Sequence, residues 1–341
     1  MEKALLRLIG IKKDKVLTGP ERLEIEIINY CNINCLTCWF FSPLGSFYKE
    51  KPWKMELEVF KRIINEAKIL GVESICIPGI GEPTLHPNLP EMILETKKAR
   101  LPLHIATNLT VTSKRILKSL CLCDRIDITL LAPTKELYKE LQSPSCPEYF
   151  DQVLENITYL KSSQNPNKKQ KIYIMFILNK LNFKYFKDML ELAKKLNLDG
   201  IEIQPFDTTP FNKNLSLDYS EIKSFIKEKN KLKKRYPFIE DTFFEEYYKN
   251  KFENQKLKRC YMGYFTLLVG IKGKVKVGCF SPQSPSAGNI YKRSLTEIWY
   301  SPKAQKIRNE YKYNLDKIHK SESHCPFLTR NRKISKIIQF F

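Results

Sequence analysis

The sequence predicts an α/β fold: a partial, open (β/α)6 barrel followed by a C-terminal extension made of a hairpin and a helix. Three observations predict it. Between residues 21 and 206, short β-branched runs alternate with amphipathic helical patterns, as a parallel sheet built from βα units does. After Phe206 the alternation stops and a lysine-rich helical stretch leads into sequence of a different kind. A length of 341 residues suits one barrel-sized unit with an appendage.

The opening MEKALLRLIGIKKDK has charges and aliphatic residues but no long apolar core and no small-residue cleavage site. It predicts a short packing helix in an N-terminal extension over 1–20. The core, 21–210, carries six expected strands: LEIEIIN (23–29), ESICIPG (73–79), PLHIATN (102–108), DRIDITL (124–130), KIYIMFIL (171–178) and GIEIQPF (200–206). Between the first two, MELEVFKRIINEAKILG (55–71) sets Val59, Phe60, Ile63, Ile64 and Ala67 on one stripe and stops at Gly71, a favourable residue just past a helix end. Helices are expected near 89–99, 112–121, 134–142, 147–162 and 182–197, with the polar SSQNPNKKQ (162–170) as a surface loop. SLDYSEIKSFIKEKNKLKKRY (216–236) makes 211–255 a helical linker. In 256–341, FTLLVG (265–270), IKGK and VKVGC form an expected hairpin, and SLTEIWYSPKAQKIRNEY (294–311) a helix.

Composition narrows the function classes. No apolar run approaches the ~20 residues needed to cross a bilayer, which predicts no transmembrane segment and a cytoplasmic protein. The net charge of +21 raises nucleic acid as a partner, but the lysines are spread over almost every helix with no concentrated basic arm, so a nucleic-acid role is not the expectation. Ten cysteines without an export signal point to metal or redox use rather than to disulfides. Cys76, Cys121, Cys123 and Cys146 fall among apolar or helical residues and read as small buried hydrophobes.

The remaining cysteines carry the chemistry. The loop after the first strand reads CNINCLTCWF, placing Cys31, Cys35 and Cys38 at spacing x3 then x2. Three thiolates from one short loop can bind three corners of a cubane iron–sulfur cluster and leave one iron open. A structural zinc site would want a fourth ligand nearby, and none follows before His86. The next strand ends in IPGIGEPTLHP (77–87), where Gly79 and Gly81 permit close backbone approach and Glu82, beside Pro83, offers a carboxylate to a cationic group.

A cysteine loop followed one βα unit later by this segment resembles the radical S-adenosylmethionine (SAM) superfamily, over residues 21 to about 206. The resemblance implies a barrel of radical SAM type with a SAM-binding 4Fe-4S cluster on Cys31, Cys35 and Cys38. Reductive cleavage of SAM would then give a 5′-deoxyadenosyl radical that abstracts a substrate hydrogen. It also implies a flavodoxin- or ferredoxin-type electron donor. Gly79, Ile80, Gly81, Glu82 and Pro83 match the segment that meets the SAM amino group. Thr107 and Asn108 look like the family's Thr-Asn-Gly strand end, Thr129 stands where many members have a SAM-contacting serine, and Asn179 matches a recurrent polar position. Three residues depart from the pattern: Ile80 and Leu109 replace glycines, and Thr37 replaces an aromatic residue. Trp39 and Phe40 are expected in packing.

The last quarter resembles the twitch or SPASM extension that binds an auxiliary cluster. Cys260 precedes the hairpin, Cys279 ends it, Gly288-Asn289-Ile290 with SLTEIW matches the link and helix, and Cys325 follows. These cysteines imply one auxiliary 4Fe-4S cluster. Leu328 stands where a C-x2-C pair would end, leaving a non-cysteine group such as His324, or substrate, for the fourth iron. Asp207, beyond the sixth strand, is the preferred acid–base residue, with Glu202 as alternative. The leading functional expectation is an oxidoreductase acting on a small polyol, sugar or aminocyclitol-like metabolite. A maturase that crosslinks or epimerises a ribosomal peptide is the alternative, and a zinc-binding basic RNA-interaction protein the non-enzymatic one.

Overall fold

A computed structural model describes residues 2–143, 146–164, 170–241, 243–253, 257–278, 284–315 and 327–339. The opening helix α1 (Glu2–Lys12) is followed by β1 (Arg22–Ile25), α2 (Leu57–Leu70), β2 (Ser74–Ile77), α3 (Leu89–Lys98), β3 (Leu103–Thr107), α4 (Lys114–Leu120) and β4 (Arg125–Thr129). Two helices, α5 (Lys135–Leu141) and α6 (Tyr149–Ser162), precede β5 (Lys171–Leu178), then α7 (Phe186–Lys195) and β6 (Gly200–Pro205). The remainder is α8 (Tyr219–Arg235), β7 (Ile239–Glu240), α9 (Phe244–Glu253), β8 (Thr266–Val269), β9 (Lys274–Val277), β10 (Gly288–Asn289), α10 (Leu295–Trp299), α11 (Pro302–Tyr313) and α12 (Leu328–Gln339).

One ten-stranded sheet runs in the order β10-β9-β8-β1-β2-β3-β4-β5-β6-β7, parallel from β8 through β7 and antiparallel at β8-β9-β10. The six expected core strands are all present. Two findings refine the expected division. The hairpin is continuous with the core sheet, because β8 pairs in parallel with β1, Leu23 opposite Leu267. The linker contributes a short strand, β7, whose Ile239 lies opposite Ile201.

Each strand alternates, and the two faces differ in chemistry. Leu23, Ile25, Ile75, Ile77, Ile105, Ile126, Ile128 and Ile174 are buried under the helices, where each fully buried side chain contributes about 1.5–3 kcal/mol. The α2 stripe meets this face through Phe60, Ile63, Ile64 and Ala67, and Gly71 adopts φ 78°, so its N–H returns to the carbonyls of Ala67 and Lys68. Boundaries shift where local bonds win. β1 stops at Ile25 rather than running to Asn29, because Met55 donates to the Ile27 carbonyl and Asn29 to that of Trp53, so the returning loop takes the place of β2. The expected helix over 294–311 is two helices, since the Ser301 side chain caps Ala304 and Pro302 starts a new first turn.

The opposite, inward face is polar. Arg22 and Glu24 (β1), Cys76 (β2), His104 (β3), Arg125 and Asp127 (β4) and Glu202 (β6) form a connected layer. Cys76, expected as an inert hydrophobe, accepts from Arg22 at 2.8 Å and lies 3.8 Å from His104 Nδ1. His104 Nε2 bonds Asp127, which also accepts from Arg125 Nε at 2.7 Å. Burial works against His104 protonation, but the Asp127 and Cys76 bonds outweigh it and push its pKa up to about 9.

A folded pKa above the ordinary value of 6.5 means that the protonated His104 stabilises the fold fully below that value and progressively less as pH rises to about 9 and beyond. The wild-type melting temperature therefore falls through this window. His104→Gln removes that slope even if it lowers stability at every pH, and a variant that kept the wild-type slope in thermal melts would refute the ion pair as its cause.

Candidate active site

The first strand leads directly into the cysteine loop. Asn29, 1% exposed, closes the base of that loop: its amide donates to Tyr48 Oη and the Lys51 carbonyl, and its Oδ1 accepts from Trp53 N. Cys31, Cys35 and Cys38 are half-buried at this strand end. Their sulfurs meet N–H donors: Phe40 N and Phe41 N lie 3.3 Å from Cys38 Sγ, and Asn108 Nδ2 lies 3.7 Å from Cys31 Sγ. Burial, then the negative charge of Glu82, pushes the Cys31 thiol up to about 12, and burial raises Cys35 and Cys38 also.

The segment after β2 is pressed onto this loop. A Cβ on Gly81 would stand 2.4 Å from the Tyr30 carbonyl oxygen and 2.7 Å from its nitrogen, so only glycine fits. Glu82 N donates to the same carbonyl at 2.9 Å. Ile80 takes the place of a glycine without a positive φ, whereas Leu109 stands at φ 56°, in the left-handed region.

Glu82 is 2% exposed, and its carboxylate faces inward. Oε1 accepts from Thr84 N (2.9 Å), Thr84 Oγ1 (2.6 Å) and Thr107 Oγ1 (2.6 Å), and Oε2 accepts from Asn108 N (2.7 Å). Three of these donors meet Oε1 and one meets Oε2, which keeps an acceptor site. These bonds make Glu82 a joint between the β2 and β3 ends. Burial raises the Glu82 pKa and these donors pull the other way. Thr107 and Asn108 turn inward as well. Gly79 is exposed at the mouth, and a Cβ there would find only the Gly81 and Ala106 carbonyls, at 3.3 and 3.9 Å.

The other expected residues divide. Thr129 ends β4 on the inward face, half-buried. Asn179 is fully buried and closes its own turn, donating to Ile177 O and accepting from Leu181 N. Glu202 belongs to the Arg125 layer below the mouth. Asp207 lies at the mouth: its carbonyl accepts from Trp39 Nε1 of the cysteine loop at 2.7 Å. Burial, offset by Lys251, pushes its carboxyl up to about 6. Tyr247 and Tyr248 feel its charge, and these α9 residues were invisible in sequence because nothing marks which helix returns to β6.

In the extension, Cys260 is buried, with Asn331 Nδ2 3.6 Å from its sulfur. Gly278, at φ 82°, ends the hairpin against Gly263, where a Cβ would meet Gly263 N at 2.7 Å. Gly278 is thereby packed against a residue three positions beyond Cys260. Cys279, Cys325 and His324 lie outside the described residues.

The donor set at the first loop fits a cluster. Among the described residues no three His, Cys, Asp or Glu side chains converge to hold a single metal ion. A cubane asks for one thiolate per corner iron instead. Half-buried thiols with raised pKa values, two of them supplied with N–H donors, would ionise if iron compensated the charge, and Cys31, Cys35 and Cys38 could hold three irons in this way.

Comparison with known proteins agrees with this geometry. The radical SAM superfamily profile matches residues 25–193, and that of an iron–sulfur cluster-binding domain, SPASM, matches 260–326. A tungsten-containing aldehyde ferredoxin oxidoreductase cofactor-modifying protein of Pyrococcus furiosus is 23% identical over 82% of this chain and 80% of its own. Streptococcus suis SuiB bound to S-adenosylmethionine superposes with a TM-score of 0.69 at 16% identity, over 90% of this chain and 72% of that one. Native anSMEcpe with bound AdoMet superposes with a TM-score of 0.65 at 14% identity, over 94% and 97%. The cysteine loop, the joint beside it and the hairpin appended to the same sheet thus place this chain in the radical SAM superfamily, with a SPASM-type extension and with SAM and 4Fe-4S clusters as its cofactors.

Proposed function

We propose that Cys31, Cys35 and Cys38 hold the SAM-cleaving cluster and that the enzyme oxidises a substrate carbon bearing a hydroxyl or amine, with Asp207 as the acid–base group. The observation supporting this reading is Asp207, whose backbone carbonyl accepts from Trp39 of the cysteine loop and whose carboxyl is raised by burial to about 6. When bound and reduced, the cluster and SAM supply a 5′-deoxyadenosyl radical that takes a hydrogen atom from the substrate. Asp207 is ionised at neutral pH yet basic enough to take the O–H or N–H proton that oxidation releases. An auxiliary cluster, which Cys260, Cys279 and Cys325 would hold, would supply an acceptor for the remaining electron, so hydrogen atom, proton and electron would each have a destination. A small polyol, sugar or aminocyclitol suits this chemistry.

One observation favours a second reading, a peptide substrate. The rim of the mouth exposes apolar side chains: Phe47 is 70% exposed, with its ring 4.7 Å from that of Phe211, and Trp39 and Leu44 precede Phe47 in the same loop. Such a rim suits a substrate that extends outward with apolar groups of its own. The Streptococcus suis protein has been captured with a precursor peptide. Deuterium transfer into 5′-deoxyadenosine from labelled polyols or from labelled peptides separates the readings.

Replacing Cys31, Cys35 and Cys38 together with Ala removes about four irons per chain and abolishes reductive SAM cleavage. Undiminished cleavage in that protein would contradict the site. Asp207→Asn slows product formation about 10²–10⁴-fold, the usual contribution of a positioned acid–base group, while 5′-deoxyadenosine still forms. In the wild type, product per 5′-deoxyadenosine rises with pH through about 6, and in the variant it is flat. A wild-type profile without that rise would exclude Asp207 as the base.

A further inference from the structure

We infer that the Asn108 carboxamide is a hydrogen-bond donor to the Cys31 sulfur that raises the reduction potential of the cluster there, and that Asn156 of α6 is the residue that positions it. The inference rests on the assignment of the SAM-cleaving cluster to Cys31, Cys35 and Cys38.

The orientation of the carboxamide is fixed by its partners. Asn108 Oδ1 accepts from Thr110 N at 3.0 Å and from Thr110 Oγ1 at 2.8 Å, and a backbone N–H can only donate. The NH2 group therefore points the other way, to Cys31 Sγ at 3.7 Å and to Asn32 Oδ1 at 3.0 Å, one hydrogen for each. Asn32 is itself held, its Nδ2 donating to Thr110 Oγ1 at 2.8 Å. The donor thus cannot rotate away from the sulfur without breaking several bonds at once.

This arrangement is maintained against backbone strain. Leu109 sits at φ 56° although it is fully buried and has a Cβ, a strained conformation that persists only where its surroundings impose it. The imposing group is Asn156, 3% exposed, whose Nδ2 donates to the carbonyls of both Leu109 and Val111 at 2.8 Å. Leu109 N is held on the other side by Thr107 Oγ1 at 2.9 Å. Asn156 touches neither sulfur nor mouth, so it acts through the turn. An N–H donor to a ligating sulfur withdraws charge from it and favours the reduced, more negative cluster.

The test is a potentiometric titration of the full chain, following by electron paramagnetic resonance the reduced-cluster signal that the Cys31/Cys35/Cys38 triple variant lacks. Asn108→Leu and Asn108→Asp move its midpoint to more negative potential, with about a tenfold fall in the reduced-to-oxidised ratio at fixed poise, or 59 mV for a one-electron couple. Asn156→Leu moves it in the same direction by less, whereas a merely structural role would lower the melting temperature and leave the potential in place. If the Asn108 variants fail to fold, wild-type protein labelled with 15N at asparagine side-chain amides shows a coupling of that nitrogen to the cluster. Wild-type midpoints in iron-replete Asn108 variants, or no such coupling, would overturn the inference. A wild type without the signal would overturn the cluster assignment beneath it.

Discussion

The site depends on a contact between two backbones. Gly81 approaches Tyr30 so closely that a methyl group would lie 2.4 Å from its carbonyl oxygen, and Glu82 donates its N–H to that same oxygen. From this point the Glu82 carboxylate reaches the β3 end, where Thr107 Oγ1 and Asn108 N are its donors. The ends of β1, β2 and β3 are thereby joined around one buried acid. Leaving a carboxylate there without partners would be costly; hydrogen bonds to a charged group contribute about 1.5–3 kcal/mol each, and four of them oppose the burial that raises its pKa. The cysteine loop stands on this joint, so its thiols are placed by the neighbouring turns as much as by their own spacing.

A second feature is the contrast between the two faces of the sheet. The outer face is packed with aliphatic residues under helices, as in other parallel sheets. The inner face carries a layer of ion pairs from Arg22 to Glu202, closing the lower part of the barrel with charges that neutralise one another. Above it the mouth is left to Gly79, Thr129, Asp207 and the exposed rim around Trp39. Chemistry is confined to the carboxyl ends of the strands, where loops can be exchanged without disturbing the packed layers.

Much of this was legible in the sequence, and the failures have physical causes. Strands and helices followed from period, and Gly71 from its need for a positive φ at a helix end. The cysteine loop was readable because ligand spacing within one loop is local. For Glu82, a sequence shows that a carboxylate follows a tight turn, not that Thr84, Thr107 and Asn108 converge on it. Cys76 read as apolar because its neighbours in sequence are isoleucines, while its neighbours in space are Arg22 and His104. The pairing of β8 with β1 and the return of α9 to Asp207 are long-range contacts that no local pattern encodes. Leu109 departs from a glycine in the sequence itself. The strain it carries, and the Asn156 clamp that holds it, belong to the fold.

The central claim is that Cys31, Cys35 and Cys38 present a cluster with an open iron to SAM. Electron paramagnetic resonance of anaerobically reduced protein carrying Ala at Cys260, Cys279 and Cys325 tests it most directly, because only the first cluster then contributes. Titration with SAM is predicted to convert the reduced cluster signal into one with altered g values, as ligation of the open iron requires. A cluster signal unchanged by saturating SAM, or a protein that holds no iron in this form, would contradict the account.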